Sequence, residues 1–248
     1  MLSKSTKSAS FPATEALFYI SRAGYLRASE IALLLYAGKV SAIQLARRLL
    51  KNLLAGKFVE AVKGPGGVLV YAIARKGCAF VEAELGETVS PTVSLLKTLG
   101  NFQHRCTANV AVIRHLLTPG PCVAWFEYEI QQGRLPIYQS SPAKIPDYAI
   151  SAEQGVIWGE VECSKRSTTD RKALVNWLLD LLWTPANEHP ELAPGLYLRQ
   201  IEFIAPLVFE GQLHKWVVDA LVDRGLGEGQ AEQVAHDLLG YYTIVRTL

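Results

Sequence analysis

The chain has no C-x-x-C pair, no H-x-H pair and no apolar run near the roughly 18 residues that a membrane span needs. Arg, Lys, Glu and Gly interrupt every apolar stretch, so no membrane insertion is expected. The first ten residues are Ser/Lys-rich and lack the apolar core of a signal peptide, which predicts a cytoplasmic protein with a polar N-terminal arm. Cys78, Cys106, Cys122 and Cys163 are scattered, which excludes a zinc ribbon and a disulfide framework. Of these, Cys78, Cys122 and Cys163 sit in apolar surroundings and read as small buried hydrophobes. Without an H-x-H pair there is no two-histidine metal site of the HUH kind, so metal-ligand chemistry does not support a covalent tyrosine mechanism. Tyr148 and the Tyr241-Tyr242 pair stay open as tyrosine candidates.

What is present is ordinary globular composition, half apolar and a fifth charged, over 248 residues, enough for two modest domains. The net charge of +2 hides an asymmetry. Residues 1–90 hold 12 Lys+Arg against 6 Asp+Glu, a balance of +6, which leaves 13 against 17, or −4, for 91–248. Only the first part carries the electrostatic footprint of a phosphate binder.

Between Pro12 and Leu85 the spacing predicts helix, helix, helix, hairpin, helix. Thr14–Arg22 is a first helix ended by Gly24; Ala28 or Ser29 opens a second, with Ile31, Leu34 and Leu35 inward, that stops at Gly38. Ser41 caps a third, with Gln44 in position to complete a capping box. On that helix Ile43, Ala46, Leu50 and Leu53 share one side, while Gln44, Arg47, Arg48 and Lys51 recur on another. Strands Phe58–Val62 and Val68–Ile73 then flank Lys63-Gly-Pro-Gly-Gly67, whose glycines permit a tight reversal. This order, with Ala74 to Cys78 leading into the next helix, resembles the winged helix domains of bacterial DNA-binding proteins. The resemblance implies that the helix beginning at Ser41 enters the major groove of double-stranded DNA. Gln44 and Arg47 or Arg48 then lie near base edges, with Lys51, Lys57 and Lys63 on phosphates. A winged helix that binds protein through a solvated basic face is the competing reading.

From Pro91 the pattern predicts a helix over Phe102–Leu117 and strands at Cys122–Ile130, Lys144–Ser151 and Val156–Cys163. A helix at Thr169–Trp183, a strand at Leu196–Ile204 and helices Gln212–Arg224 and Glu228–Tyr241 complete the chain. Period-2 alternation puts Glu160 and Glu162 on one face of an otherwise apolar strand. Pairing through the Glu153–Gly155 turn brings Asp147 toward Glu160. Clustered carboxylates repel unless a cation joins them, which points to Mg²⁺ or Mn²⁺ on Asp147 and Glu160 and to an anionic, phosphate-bearing substrate, with Lys165 orienting an attacking water. His104 and His115, eleven residues apart on one helix and some 16 Å distant, cannot share a metal. Glu127 and Glu129 share a strand face and read either as a source of one more metal ligand or as solvent-exposed.

The winged helix in front, the helix start Phe102-Gln-His104 with Asn109 and Arg114, and the "PD…E-V-E" of Asp147, Glu160 and Glu162 together resemble the PD-(D/E)xK nuclease superfamily. More narrowly they resemble the replication-relaxation family and MobC-type plasmid mobilisation relaxases. The resemblance implies an α/β (α+β) chain: arm 1–11, winged helix-turn-helix 12–90, and a PD-(D/E)xK-like restriction-endonuclease core of αβββαβ order with a mixed sheet over 91–248. It also implies a DNA nickase at a plasmid or conjugative transfer origin, with Asp147, Glu160 and Glu162 holding the metal, Lys165 assisting and His104 near the site. A relaxosome accessory protein and a coupling protein are the implied partners. The sequence departs from the E-x-K pattern, since Glu162 stands where the lysine belongs and Lys165 falls three residues later. Either the lysine has migrated, or Glu162 is an added ligand, or the fold binds DNA without cutting. A non-catalytic replication, relaxosome accessory or regulatory protein, with Trp216, Val217, Ala220 and Leu221 as a docking stripe or as core, is the alternative from another class.

Overall fold

The computed structural model describes residues 11–99, 101–136, 144–152, 155–163, 166–182 and 189–247. Lys165, Trp183, the Ser140–Pro142 stretch, Glu153, Gln154 and the first ten residues lie outside them. The described residues form a mixed α/β protein with nine α-helices, and no helix among them is long and apolar enough to cross a membrane. Contacts divide the chain into two units, Met1–Phe102 and Gln103–Leu248. The division falls later than residue 90 because Thr92 is tied to the first unit: its N–H donates to the Ile73 carbonyl at 3.0 Å, and its Oγ accepts from the Ile73 N–H at 3.2 Å.

In the first unit α1 (Phe11–Ala23) buries Ala16, Leu17, Ile20 and Ala23, one stripe at helical spacing. A two-residue strand β1 (Leu26–Arg27) follows, then α2 (Ala28–Tyr36), α3 (Ala42–Ala55), β2 (Val59–Lys63), β3 (Leu69–Ile73) and α4 (Arg75–Leu85). The sheet is antiparallel with β3 in the middle, pairing Lys63 with Leu69 at the hairpin end. Gly66 and Gly67 take φ of +70° and +76° there, a backbone that only glycine enters without strain. Gly77 is required for a different reason: a Cβ would sit 2.3 Å from the Phe58 carbonyl oxygen, where α4 crosses β2's entry.

One expectation fails in this unit. Ser41 precedes α3, but its side chain makes no capping bond; the turn is held instead by backbone bonds from Ala42 to Lys39 and from Leu45 to Ser41, both 3.0 Å. The carboxylate cap occurs on α2, where buried Glu30 accepts the Arg27 N–H at 2.6 Å and the Arg27 guanidinium at 2.7 Å.

The second unit runs α5 (Phe102–Leu117), β4 (Val123–Phe126), α6 (Glu127–Gln131), β5 (Tyr148–Ala152), β6 (Gly155–Val161), α7 (Thr168–Leu182), β7 (Glu191–Ala193), β8 (Leu196–Ala205), α8 (Phe209–Asp223), α9 (Glu228–Tyr242) and β9 (Thr243–Thr247). Its mixed sheet has the order β4-β5-β6-β8, with β7 and β9 both on β8; β6 with β8 and β8 with β9 are parallel, the rest antiparallel. One face packs on α7, α8 and α9 through Val156, Trp158, Leu178, Ile201, Phe203 and Val217; the other meets α5. The stripe at Trp216, Val217, Ala220 and Leu221 is core, with Val217 and Leu221 buried.

The expected strand over Cys122–Ile130 stops at Phe126. There the Glu129 carboxylate accepts the Phe126 N–H at 3.1 Å and turns the chain into α6. Glu127 and Glu129 are consequently buried, not solvent-exposed. Cys78 and Cys106 are buried, whereas Cys122 and Cys163 are only half-buried, and all four cysteines are free of disulfides.

Candidate functional site

Two places carry chemistry, one in each unit. In the first, α3 presents Gln44, Arg47, Arg48 and Lys51 to solvent while Ala46, Leu50 and Leu53 pack inward, so the helical spacing of the sequence separates the faces as expected. Ser41, Lys57 and Lys63 are exposed as well. Lys57 holds φ of +61°, the left-handed turn that reverses the chain out of α3. The turn before α3 also projects Val40 fully into solvent, an apolar side chain that sequence periodicity did not mark because it lies outside any helix.

In the second unit the site grows from the start of α5 and the adjoining ends of β5 and β6. The antiparallel register pairs Tyr148 with Gly159, which makes Asp147 and Glu160 the next position along the same ladder. The Asp147 N–H donates to the Gly159 carbonyl at 2.9 Å, and the Asp147 Oδ2 accepts the Val161 N–H at 2.8 Å, so the carboxylate is clamped across the β6 backbone. From α5, His104 Nε2 lies 3.1 Å from the same oxygen. That hydrogen bond raises the His104 pKa, against the opposing effect of burial. His104 Nδ1 is buried without a hydrogen-bond partner among the described residues and lies 3.9 Å from Glu127.

Glu160 is buried on the α7 face of β6. One oxygen accepts the Trp158 indole N–H at 2.6 Å and the other pairs with Lys144, whose ammonium also stands 5.2 Å from the centre of the Trp177 ring. Burial pushes the Glu160 pKa up to about 7; Lys144 pulls it down and the negative charge of Asp147 pushes it further up. Glu162 is buried too, and both its oxygens accept from the Arg166 guanidinium. Glu127 is held by Arg105 at 3.2 and 3.3 Å and by Gln131 at 2.8 Å.

The structure thus brings Asp147, Glu160 and His104 together. It separates Glu162, which belongs to Arg166. The repulsion that called for a metal is met in large part by the chain's own cations. Neither Lys144 nor Arg166 stands out from sequence: Lys144 reaches Glu160 from sixteen positions before it, and Arg166 stands beside Lys165, the residue to which the sequence pattern gave the assisting role. Tyr148 is excluded as an exposed nucleophile, because it is fully buried and its hydroxyl donates to Glu202 at 2.7 Å, which with burial raises its pKa.

The donor set suits a hard divalent ion of the magnesium kind, which takes one or two protein carboxylates and keeps several waters. Asp147 Oδ1 accepts no hydrogen bond among the described residues, and Glu160 gains from any added positive charge opposite Asp147. Among the described residues no three His, Cys, Asp or Glu side chains converge as a complete protein cage. Compared with known proteins, the chain matches no protein-family model, no curated protein and no solved structure.

Proposed function

We propose that the chain is a DNA-binding, metal-dependent nickase of PD-(D/E)xK type, with a winged helix as its first unit and Asp147 and Glu160 as the centre of its second. One observation carries the reading: with the short α6 and β7 set aside, α5, β4, β5, β6, α7 and β8 follow the αβββαβ order, and Asp147, just before β5, stands opposite Glu160 where the antiparallel β5–β6 register is continued by one position. The α3 face supports the DNA half. Arg47 and Arg48 supply forks for guanine, Gln44 for adenine, Val40 an apolar contact for a thymine methyl, and Lys51, Lys57 and Lys63 charges for phosphates.

A bound Mg²⁺ or Mn²⁺ supplies a Lewis acid for the phosphodiester and a water of lowered pKa. Asp147 and Glu160 hold it. His104 fixes the orientation of the Asp147 carboxylate and offers a proton donor or acceptor beside it. Lys144 pairs with Glu160, and we assign it the role first expected of Lys165. Action at a plasmid or conjugative transfer origin, with a relaxosome accessory protein and a coupling protein as partners, rests on the sequence resemblance.

A second reading has an observation of its own. Glu160 is already paired with Lys144, Glu162 with Arg166 and Asp147 with His104, an arrangement that also serves a fold that binds DNA without cutting it. Relaxation of supercoiled plasmid carrying the protein's own genetic neighbourhood, with Mg²⁺ or Mn²⁺, separates the two. The nickase reading expects metal-dependent open circles that Asp147→Ala and Glu160→Ala both abolish. Intact supercoils alongside salt-sensitive binding of the same DNA select the non-catalytic binder.

A further inference from the structure

About three turns along α5 from His104, roughly 16 Å, a cavity of about 160 Å³ opens between the C-terminal end of α5 and the β8–β9 pair. Arg114, His115, Thr118, Glu202 and Arg246 line it. Its foundation is Glu202, a buried carboxylate in a central strand. Burying such a charge is unfavourable unless it is paired and hydrogen-bonded. Here Oε2 lies 2.7 Å from His115 Nε2 and accepts the Tyr148 hydroxyl at 2.7 Å, while Oε1 accepts from Arg246 Nε. Despite its burial, these bonds hold Glu202 well below the usual carboxylate range, at about 2. Tyr148 reaches it from two strands away, because Gly159 on the intervening strand leaves room for the ring.

The pairing leaves donors over. Arg246 uses only Nε, and its two terminal nitrogens make no hydrogen bond among the described residues; the whole guanidinium of Arg114 likewise has no carboxylate partner there. Among the described residues that line the cavity, two guanidinium groups face one carboxylate. The negative end of α5 is covered as well, since the Thr118 hydroxyl donates to the Arg114 carbonyl at 3.0 Å and the Cys122 thiol faces the His115 carbonyl. Planar guanidinium forks match the oxygens of phosphate-type anions. The volume corresponds to about five waters, enough for one tetrahedral group with some hydration and too small for a nucleoside.

We propose that this cavity is a phosphate-binding site in which Arg114 and the terminal nitrogens of Arg246 grip a phosphate group, with Glu202 as the anchor that aims Arg246. The proposal does not depend on nuclease activity. The phosphate has three sources with one chemistry: the free inorganic ion, a terminal monoester of a nucleic acid, or an internal phosphodiester.

Calorimetric titration of the full chain at low salt with inorganic phosphate, with a 5′-phosphorylated dinucleotide and with the same dinucleotide unphosphorylated tests it, alongside Arg114→Gln and Arg246→Gln. At least one of the three ligands is expected to bind in the millimolar range or tighter, with the tightest naming the source. Arg114→Gln should weaken that binding by roughly tenfold or more, as loss of a charged bidentate contact does, at unchanged melting temperature, since Arg114 is exposed. Absence of binding for all three ligands, or binding that Arg114→Gln leaves intact, overturns the proposal. In the second case the phosphate sits elsewhere on the chain.

Discussion

Gly159 shows how one residue sets two sites. A Cβ there would lie 2.2 Å from the Tyr148 ring, which has no room to retreat because it is fully buried and tied to Glu202. Gly159→Ala is expected to destabilise the second unit by about 1–3 kcal/mol through overpacking, read by urea denaturation, and to loosen the neighbouring Asp147 clamp with it. Glu160 makes a prediction about pH. Its folded pKa of about 7 lies above the ordinary carboxylate value of 4.5, so between those values the folded state binds more protons than the unfolded one. Stability therefore falls as pH rises through that window and stays lower above it. Without metal, Glu160→Gln should remove that fall, so the variant gains on the wild type by on the order of 2–3 kcal/mol between pH 5 and pH 8. A constant difference across that range, measured by denaturant midpoints, overturns the assignment.

At the scale of elements, the start of α2 depends on Arg27 and Glu30. Glu30 is fully buried, and burial raises its pKa against the pull of Arg27, which supplies its charge partner and two further hydrogen bonds. Arg27→Met should cost about 3–5 kcal/mol, because removing one partner strands the other charge inside the fold; chemical denaturation followed by circular dichroism reads it. α6 illustrates the limit of periodicity. Glu127 and Glu129 alternate with Tyr128 and Ile130 as a strand would, and the choice of helix was made by the Glu129 carboxylate on the Phe126 N–H and by Arg105 on Glu127. β9 was hidden for another reason: it follows α9 without a glycine or proline between them, and its register comes from β8.

For the whole chain, charge is the property that bears on partners. The +6 of residues 1–90 against −4 for the rest assigns phosphate binding chiefly to the first unit. If about four of the exposed cations of α3 and its flanks meet phosphates, the log–log dependence of duplex affinity on salt should have a slope near −4. Lys51→Ala should lower that slope by about one without changing sequence preference, whereas Arg47→Ala should relax preference at one base pair. A flat salt response in filter binding removes the DNA reading altogether.

Amphipathic spacing determined α1 to α5, α7, α8, α9 and most strands, because a 3.6-residue or two-residue period states which side must be buried before any partner is known. It also placed Asp147 opposite Glu160, since a short turn between two strands leaves little freedom of register. The basic face of α3 was legible for the same reason. Tertiary structure decided the rest. It chose which cation answers each carboxylate, giving Glu160 to Lys144 and Glu202 to Arg246 across separations no local period encodes, and Glu162 to Arg166 four residues further on. It withheld the capping bond from Ser41, buried Glu127 and Glu129, and turned Tyr148 inward. Those outcomes depend on where desolvated charges find partners, and a buried charge is satisfied by whatever the packed chain brings within reach.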